Sequence, residues 1–169
     1  MPATETIIYT LAPSRLGLVL VAASEHGVCA ISIDDTAEVL RDDLERRFPR
    51  AVITEDSRRL EHVSAAVVRF IESPTSRLDV ALDIRGSSFQ IRVWDALRTV
   101  PAGLTASYAE IAERLNAPTA VRAVAAACAA NALAVAIPCH RVIRSDGGLS
   151  GYRWGVARKE ALLKAEGAR

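Results

Sequence analysis

Ile137-Pro138-Cys139-His140-Arg141-Val142 sets a nucleophile, a base and a cation side by side, and the chain is best read outward from it. The thiolate is the reactive form of cysteine, and a free thiol with a pKa of about 8.5 is only a few per cent ionised at neutral pH. A neighbour must therefore raise that fraction. Residues adjacent in a strand point to opposite faces, so His140 reaches Cys139 only where the chain turns or through a bridging water. Pro138 fixes its own backbone and removes a donor, which predicts such a turn. By itself, the pair is also what a buried structural cysteine beside a satisfied histidine looks like.

Upstream, Ala132 to Ile137 reads as strand-like, and Asn131 as the point where a helix gives way to it. Val121, Val124, Ala125 and Cys128 fall at helical spacing, as do Tyr108, Ile111, Ala112 and Leu115 before them. Ser107 with Glu110 predicts a capping box, and Asn116-Ala117-Pro118 breaks the two helices apart. Such a pair is a helix-turn-helix candidate, although many helical hairpins only pack a core. Alanines at 120, 123, 125, 126, 127, 129 and 130 leave the second helix slim, so that Ala123 and Ala126 would let it approach a groove closely. Arg122 lies about a hundred degrees off the apolar stripe and projects from the core. Earlier still, Ser87 and Gln90 cap a helix carrying Phe89, Val93, Trp94 and Leu97. Downstream, Asp146-Gly147-Gly148 and Gly151 mark a loop. On the final helix, Glu166 follows Leu162 by four residues and Leu163 by three, which sets a carboxylate on or beside the apolar stripe, where it wants a partner, although so near the C-terminus a solvated glutamate is the commoner finding.

The first half reads differently. Strands are predicted at Thr6 to Leu11, Leu18 to Ala22 and Val28 to Ile33, joined as hairpins. A helix capped by Asp35 and Glu38 ends at Pro49, a second runs from about Ser57 to Glu72, and Leu78 to Ile84 alternates as a strand. Nothing in this half looks catalytic. The expected fold class is an α/β N-terminal domain, a small antiparallel sheet with helices, over residues 1–84. A mainly α C-terminal domain with the helix-turn-helix follows over 85–169.

At 169 residues, 50% hydrophobic and 24% charged, the chain can bury a real core. No apolar run approaches a membrane span, and Met1-Pro2-Ala3-Thr4-Glu5-Thr6 lacks the regions of a signal peptide, so a cytoplasmic protein with no membrane partner is expected. Cys29, Cys128 and Cys139 lie far apart and suggest neither a disulfide framework nor a paired-cysteine zinc site. Net charge is only +1, but residues 1–84 hold 9 basic against 14 acidic side chains and residues 85–169 hold 12 against 6. A net of −5 beside a net of +6 hints that the second half binds a polyanion.

From Ser87 to Gly167 the sequence resembles the active domain of the O6-alkylguanine-DNA alkyltransferases. Within that family it is most similar to the methyltransferase portion of bacterial adaptive-response proteins. The matching segments are SSFQ at 87–90, VWDALRTVPAG at 93–103, SYAEIA at 107–112, AVRAVAAACAAN at 120–131, IPCHRVIRSDGGLSGYRWG at 137–155 and LLKAEG at 162–167. They cover about half the chain, in order. The resemblance implies direct-reversal DNA repair, in which a methyl or small alkyl group passes irreversibly from O6 of guanine, and less well from O4 of thymine, to Cys139. It needs no cofactor and no metal, and implies a monomer in solution acting on double-stranded DNA with an extruded alkylated base.

The family roles carry over residue by residue. Cys139 attacks, His140 takes its proton through a water, and Glu166 orients the imidazole. Tyr108 crowds the target phosphate and bonds the guanine ring, while Arg122 fills the gap left by the base. Asn131, Pro138 and Tyr152 shape the pocket, the carbonyls of Cys139 and Val142 accept from the guanine amino group, and Lys159 matches a further family position. Some members carry serine where Arg153 stands, so only its backbone amide is expected to meet O6. No regulatory amino-terminal portion with a cysteine metal site is expected. Two other classes stay open: a noncatalytic helix-turn-helix binder of alkylated DNA or regulator, and a Cys-His hydrolase.

Overall fold

In a computed structural model, which describes residues 4–74 and 78–168, the chain forms two compact units, Met1–Ile84 and Arg85–Arg169. In the first, β1 (Thr6–Ser14), β2 (Gly17–Ser24) and β3 (Gly27–Asp34) form an antiparallel meander. Leu20 and Ala22 on β2 bury against Leu40 and Leu44 of α1 (Ala37–Arg47), and the alternate residues Val19 and Val21 are buried on the opposite face. Both faces being covered, β2 and β3 read as continuous apolar runs with no polar face. α2 (Glu61–Glu72) packs on β1 and β2.

Several expectations about this unit need correction. The sheet is mixed, because β4 (Val52–Glu55) returns after α1 to lie parallel to β1, giving the order β3-β2-β1-β4. β4 went unpredicted because it is short, largely exposed and specified by pairing with a distant strand. No Asp35–Glu38 box forms. The N-cap of α1 is Thr36, and the turn before it is held by Asp34 Oδ1, which accepts from the Thr36 amide at 3.0 Å. α2 starts at Glu61 because Asp56 Oδ1 accepts from the Arg59 amide and keeps residues 57–60 in turns. Along Leu78 to Ile84 only Leu82 makes a β-bridge, to Val28, with Val28 N donating to Ala81 O and Asp83 N to Val28 O. Gly27 permits this approach: at φ +141°, a Cβ there would sit 2.7 Å from Ala81 O.

The second unit is built on α3 (Ser88–Leu97), α4 (Tyr108–Arg114), α5 (Val121–Ala129) and α6 (Val156–Ala165). Both predicted capping boxes form: Ser87 with Gln90 opens α3, and Ser107 with Glu110 opens α4. Val93, Trp94 and Leu97 of α3 and Ile111 of α4 are buried, as are Val124 and Ala127 of α5. The Trp94 indole donates to Ala127 O at 2.9 Å, so the largest side chain of this core is satisfied as well as buried. A two-residue strand, β5 (Ala106–Ser107), leads directly into α4 and pairs in parallel with β6 (Val142–Ile143), which fastens the segment following Cys139 to the start of α4.

Candidate active site

Ala132 to Ile137 is not a strand. Val135 adopts a left-handed φ of 63°, and the chain makes tight turns through Ala136 N to Ala134 O and Ile137 N to Leu133 O. Asn131, fully buried, enforces this path. Its Oδ1 accepts from Leu133 N at 2.9 Å, and its Nδ2 donates to Ile137 O at 2.9 Å and to Cys139 Sγ at 3.3 Å. Pro138 then leads into a single 3-10 turn, Cys139–Arg141, closed by Arg141 N to Pro138 O. With three residues per turn, successive side chains diverge by about 120°, so Cys139, His140 and Arg141 face three different neighbours.

Cys139 faces a cavity of about 320 Å³ that Tyr108, Cys128, Ser150, Tyr152 and Arg153 also line. His140 is fully buried, with Nε2 2.7 Å from Glu166 Oε1. Arg141 grips the same carboxylate, with Nε to Oε2 at 3.0 Å and Nη2 to Oε1 at 2.9 Å, while Nη1 donates to Val100 O. Lys159 is wholly buried, with Nζ donating to Val142 O at 2.6 Å and Gly151 O at 3.4 Å. Tyr108 Oη donates to Ser150 Oγ at 3.3 Å, and Tyr152 packs edge-on against Trp154. Arg122, Ala123 and Ala126 lie exposed on α5. Thus Cys139, Tyr108, Tyr152 and Arg153 share the cavity, His140, Glu166, Asn131 and Lys159 are not among its lining residues, and the three α5 residues present an outer face.

The electrostatics assign states. Burial pushes the Cys139 thiol up to about 11, against the Asn131 hydrogen bond and the Lys159 charge, so it is protonated at neutral pH and no standing thiolate exists. Burial also opposes ionisation of Glu166, but hydrogen bonds from His140 and Arg141 overcome it and hold the carboxyl below its usual range. His140 is held below its ordinary value, burial outweighing the attraction of Glu166. An ionised carboxylate only accepts, so the imidazole proton sits on Nε2 and Nδ1 carries a lone pair. Nδ1 is buried and has no partner among the described residues. The arrangement is a neutral base, oriented from behind by a shared carboxylate, beside a protonated thiol that opens on a cavity.

Arg141 was legible in the sequence only as a neighbouring cation. Its role follows from burial: one carboxylate facing a neutral imidazole needs a counter-charge, and the next residue of the 3-10 turn supplies it. Cys128 and Ser150 were also given no place in the pocket. The apolar spacing of α5 marked Cys128 as core, and Ser150 reaches Tyr108 from 42 residues away.

Residues 88–168 match the family model for the 6-O-methylguanine DNA methyltransferase DNA-binding domain. The inducible methylated-DNA–protein-cysteine methyltransferase of Bacillus subtilis is 41% identical over 121 residues, which cover 72% of this chain and 68% of that protein. The crystal structure of Mycobacterium tuberculosis O6-methylguanine methyltransferase superposes with a TM-score of 0.80 at 34% identity, covering 97% of this chain and 94% of that one. The chain belongs to the O6-methylguanine-DNA methyltransferase family. Escherichia coli Ada, named a bifunctional transcriptional activator and DNA repair enzyme, is 49% identical over 158 residues. This family member spans about half the length of the Ada proteins it matches, 45% and 46% of the Escherichia coli and Salmonella typhimurium sequences. Its mixed sheet and six helices are the architecture of the methyltransferase family, shared along nearly the whole Mycobacterium tuberculosis chain. No helix among the described residues is long and apolar enough to cross a membrane.

Proposed function

We propose that this chain repairs DNA directly, taking a methyl or small alkyl group from O6 of guanine, and less readily from O4 of thymine, and keeping it on Cys139. The observation that carries the reading is the 3-10 turn, which turns Cys139 into a cavity while His140 is tied at Nε2 to Glu166. In this reading His140 Nδ1 takes the thiol proton through a bridging water as the sulfur attacks the alkyl carbon. The S–C bond forms as the C–O6 bond breaks, Tyr108 donates a hydrogen bond to the departing guanine ring, and the proton taken up by His140 returns through water to the guanine, so that Tyr108 and His140 both end neutral. The imidazolium formed on the way is stabilised by Glu166, and the buried ammonium of Lys159 favours charge developing on sulfur. The product is a thioether, which no side chain here hydrolyses, so each chain acts once and needs no cofactor or metal.

The O6 atom of a paired guanine faces its partner, so the nucleotide must leave the stack before sulfur can line up behind the alkyl carbon. We read residues 85–169 as the DNA-binding domain, with α4 and α5 as its helix-turn-helix and residues 1–84 as its support. The exposed Ala123 and Ala126 would let α5 approach the groove, with Arg122 filling the space left by the extruded base. Asn131, Pro138, the Val142 carbonyl, Tyr152 and the Arg153 amide would shape and line the guanine pocket. Lys159 already donates to Val142 O, and a carbonyl has a second lone pair for the guanine amino group. The expected state is a monomer in the cytoplasm.

Incubation with duplex DNA carrying one O6-methylguanine, followed by peptide mapping, tests this. A methyl on Cys139 together with restored guanine is expected. An unchanged lesion would mean a binder without chemistry, and indifference to the DNA with turnover of esters would mean a hydrolase.

A further inference from the structure

Ser150 adopts a φ of 63°, in the left-handed region that a side chain disfavours and glycine enters freely. A backbone held there raises the question of what its side chain does. The Ser150 hydroxyl lies beside that of Tyr108, Oη to Oγ at 3.3 Å, and both residues line the Cys139 cavity. The two ends of this contact are fixed separately. Tyr108 is the first residue of α4, seated by the Ser107 capping box and by the pairing of β5 with β6. The loop that carries Ser150 is closed by Arg144 N to Gly148 O at 2.9 Å, and the carbonyl of the next residue, Gly151, accepts from Lys159 Nζ. For two hydroxyls 3.3 Å is long, as catalytic hydrogen bonds often are before substrate binds.

A hydroxyl donates once and accepts twice, so a pair of them can run in either direction. When Tyr108 gives its only proton to the ring of an extruded guanine, it ceases to donate to Ser150, but its oxygen can accept from Ser150 with neither residue moving. A phenol that accepts one hydrogen bond while donating another is the stronger donor, because each bond polarises the next. Burial works the other way: it raises the Tyr108 phenol above its ordinary value, and the Ser150 hydrogen bond opposes that shift. We propose, resting on the function above, that Ser150 is a positioning residue for alkyl transfer: as the base enters, its hydroxyl reverses direction and donates to Tyr108 Oη, which aims and strengthens the hydrogen bond that Tyr108 gives the departing guanine. No covalent bond breaks at either hydroxyl, and both stay neutral. Ser150 acts on the guanine as it leaves and does not read the alkyl group.

The left-handed backbone makes two hydroxyl deletions informative. Ser150→Gly removes the donor and relieves the φ, whereas Ser150→Ala removes the donor and keeps the strain. Single-turnover transfer from duplex DNA carrying one O6-methylguanine is measured against protein concentration for the full chain, both serine variants, Tyr108→Phe and the double variant Ser150→Gly with Tyr108→Phe. Each serine variant should be about tenfold slower at saturation, the scale of one hydrogen bond, with the half-saturating concentration changed less than about twofold. In the double variant the serine loss should vanish, because Tyr108→Phe leaves no hydroxyl to strengthen. An unchanged maximal rate for the serine variants would overturn the proposal, as would a loss confined to half-saturation or losses that multiply in the double variant. A rate that follows backbone strain, slow in Ser150→Ala and normal in Ser150→Gly, would assign the position to loop structure and overturn it too, as would a Tyr108→Phe chain as fast as the original. Failure of the original protein to transfer any methyl from this duplex would instead refute the proposed function.

Discussion

Glu166 divides its oxygens between an imidazole and a guanidinium, and that division, together with burial, sets the proton affinity of His140. Arg141 and Glu166 pull the imidazole in opposite directions: the carboxylate raises its proton affinity, and the guanidinium lowers it. In a profile of transfer rate against pH, the acid limb should therefore have its inflection below 6.5, the ordinary histidine value. Glu166→Gln should lower the plateau by about a hundredfold and move the inflection further down. Arg141→Met should move it up, and cost about 3 kcal/mol of stability because a buried carboxylate loses its bidentate partner. Inflections that move together would contradict the arrangement. Asn131 supports the same site from the other side. Asn131→Leu strands the Leu133 amide and the Ile137 carbonyl in the interior, for a loss of about 2–4 kcal/mol by denaturant unfolding. Cys139 and His140 could be read from residue order, and spacing set Glu166 beside the apolar stripe, but its pairing with His140 came from the family resemblance. The shared grip of Arg141 and the burial of Lys159 could not be read, because each depends on a carbonyl or carboxylate brought from elsewhere in the chain.

Elements were legible where local chemistry decides them. Ser87 and Ser107 announced their helices because a capping box is complete within four residues. Ser87→Ala and Ser107→Ala should each cost about 1 kcal/mol, read as a lower denaturant midpoint at unchanged slope. Elements were misread where a distant partner decides them. β4 exists through its register with β1, and the 132–137 segment turns because Asn131 captures its backbone groups, although Ala-Leu-Ala-Val-Ala-Ile is a plausible strand by composition. Gly27 shows the same dependence: its need for glycine comes from Ala81, 54 positions on. Gly27→Ala should destabilise by more than about 2 kcal/mol, since it adds an unfavourable φ to a clash with backbone.

For the whole molecule, the buried titratable groups bound the pH range of stability. His140 and Glu166 both have folded values below their ordinary 6.5 and 4.5, so the unfolded chain binds more protons as pH falls. Stability should therefore drop below about pH 6.5 and further as Glu166 protonates. Cys139 and Cys128 are pushed up from 9.0 to about 11 and about 12, chiefly by burial, so the unfolded chain releases protons first and stability should also drop above about pH 9. Thermal midpoints should form a plateau between these limits, and Cys139→Ser should soften the alkaline fall. In the proposed mechanism the same burial matters to the chemistry, because a thiol kept protonated in the resting state would have to be ionised on demand, by the neutral imidazole of His140 through a water.

That dependence on a single sulfur is tested most directly by stoichiometry. With limiting protein and excess duplex carrying O6-methylguanine, guanine restored should rise to one equivalent per chain and stop, with the methyl recovered as a thioether on Cys139. Repair that continues past one equivalent, or that stops with Cys139 unmodified, would contradict the account.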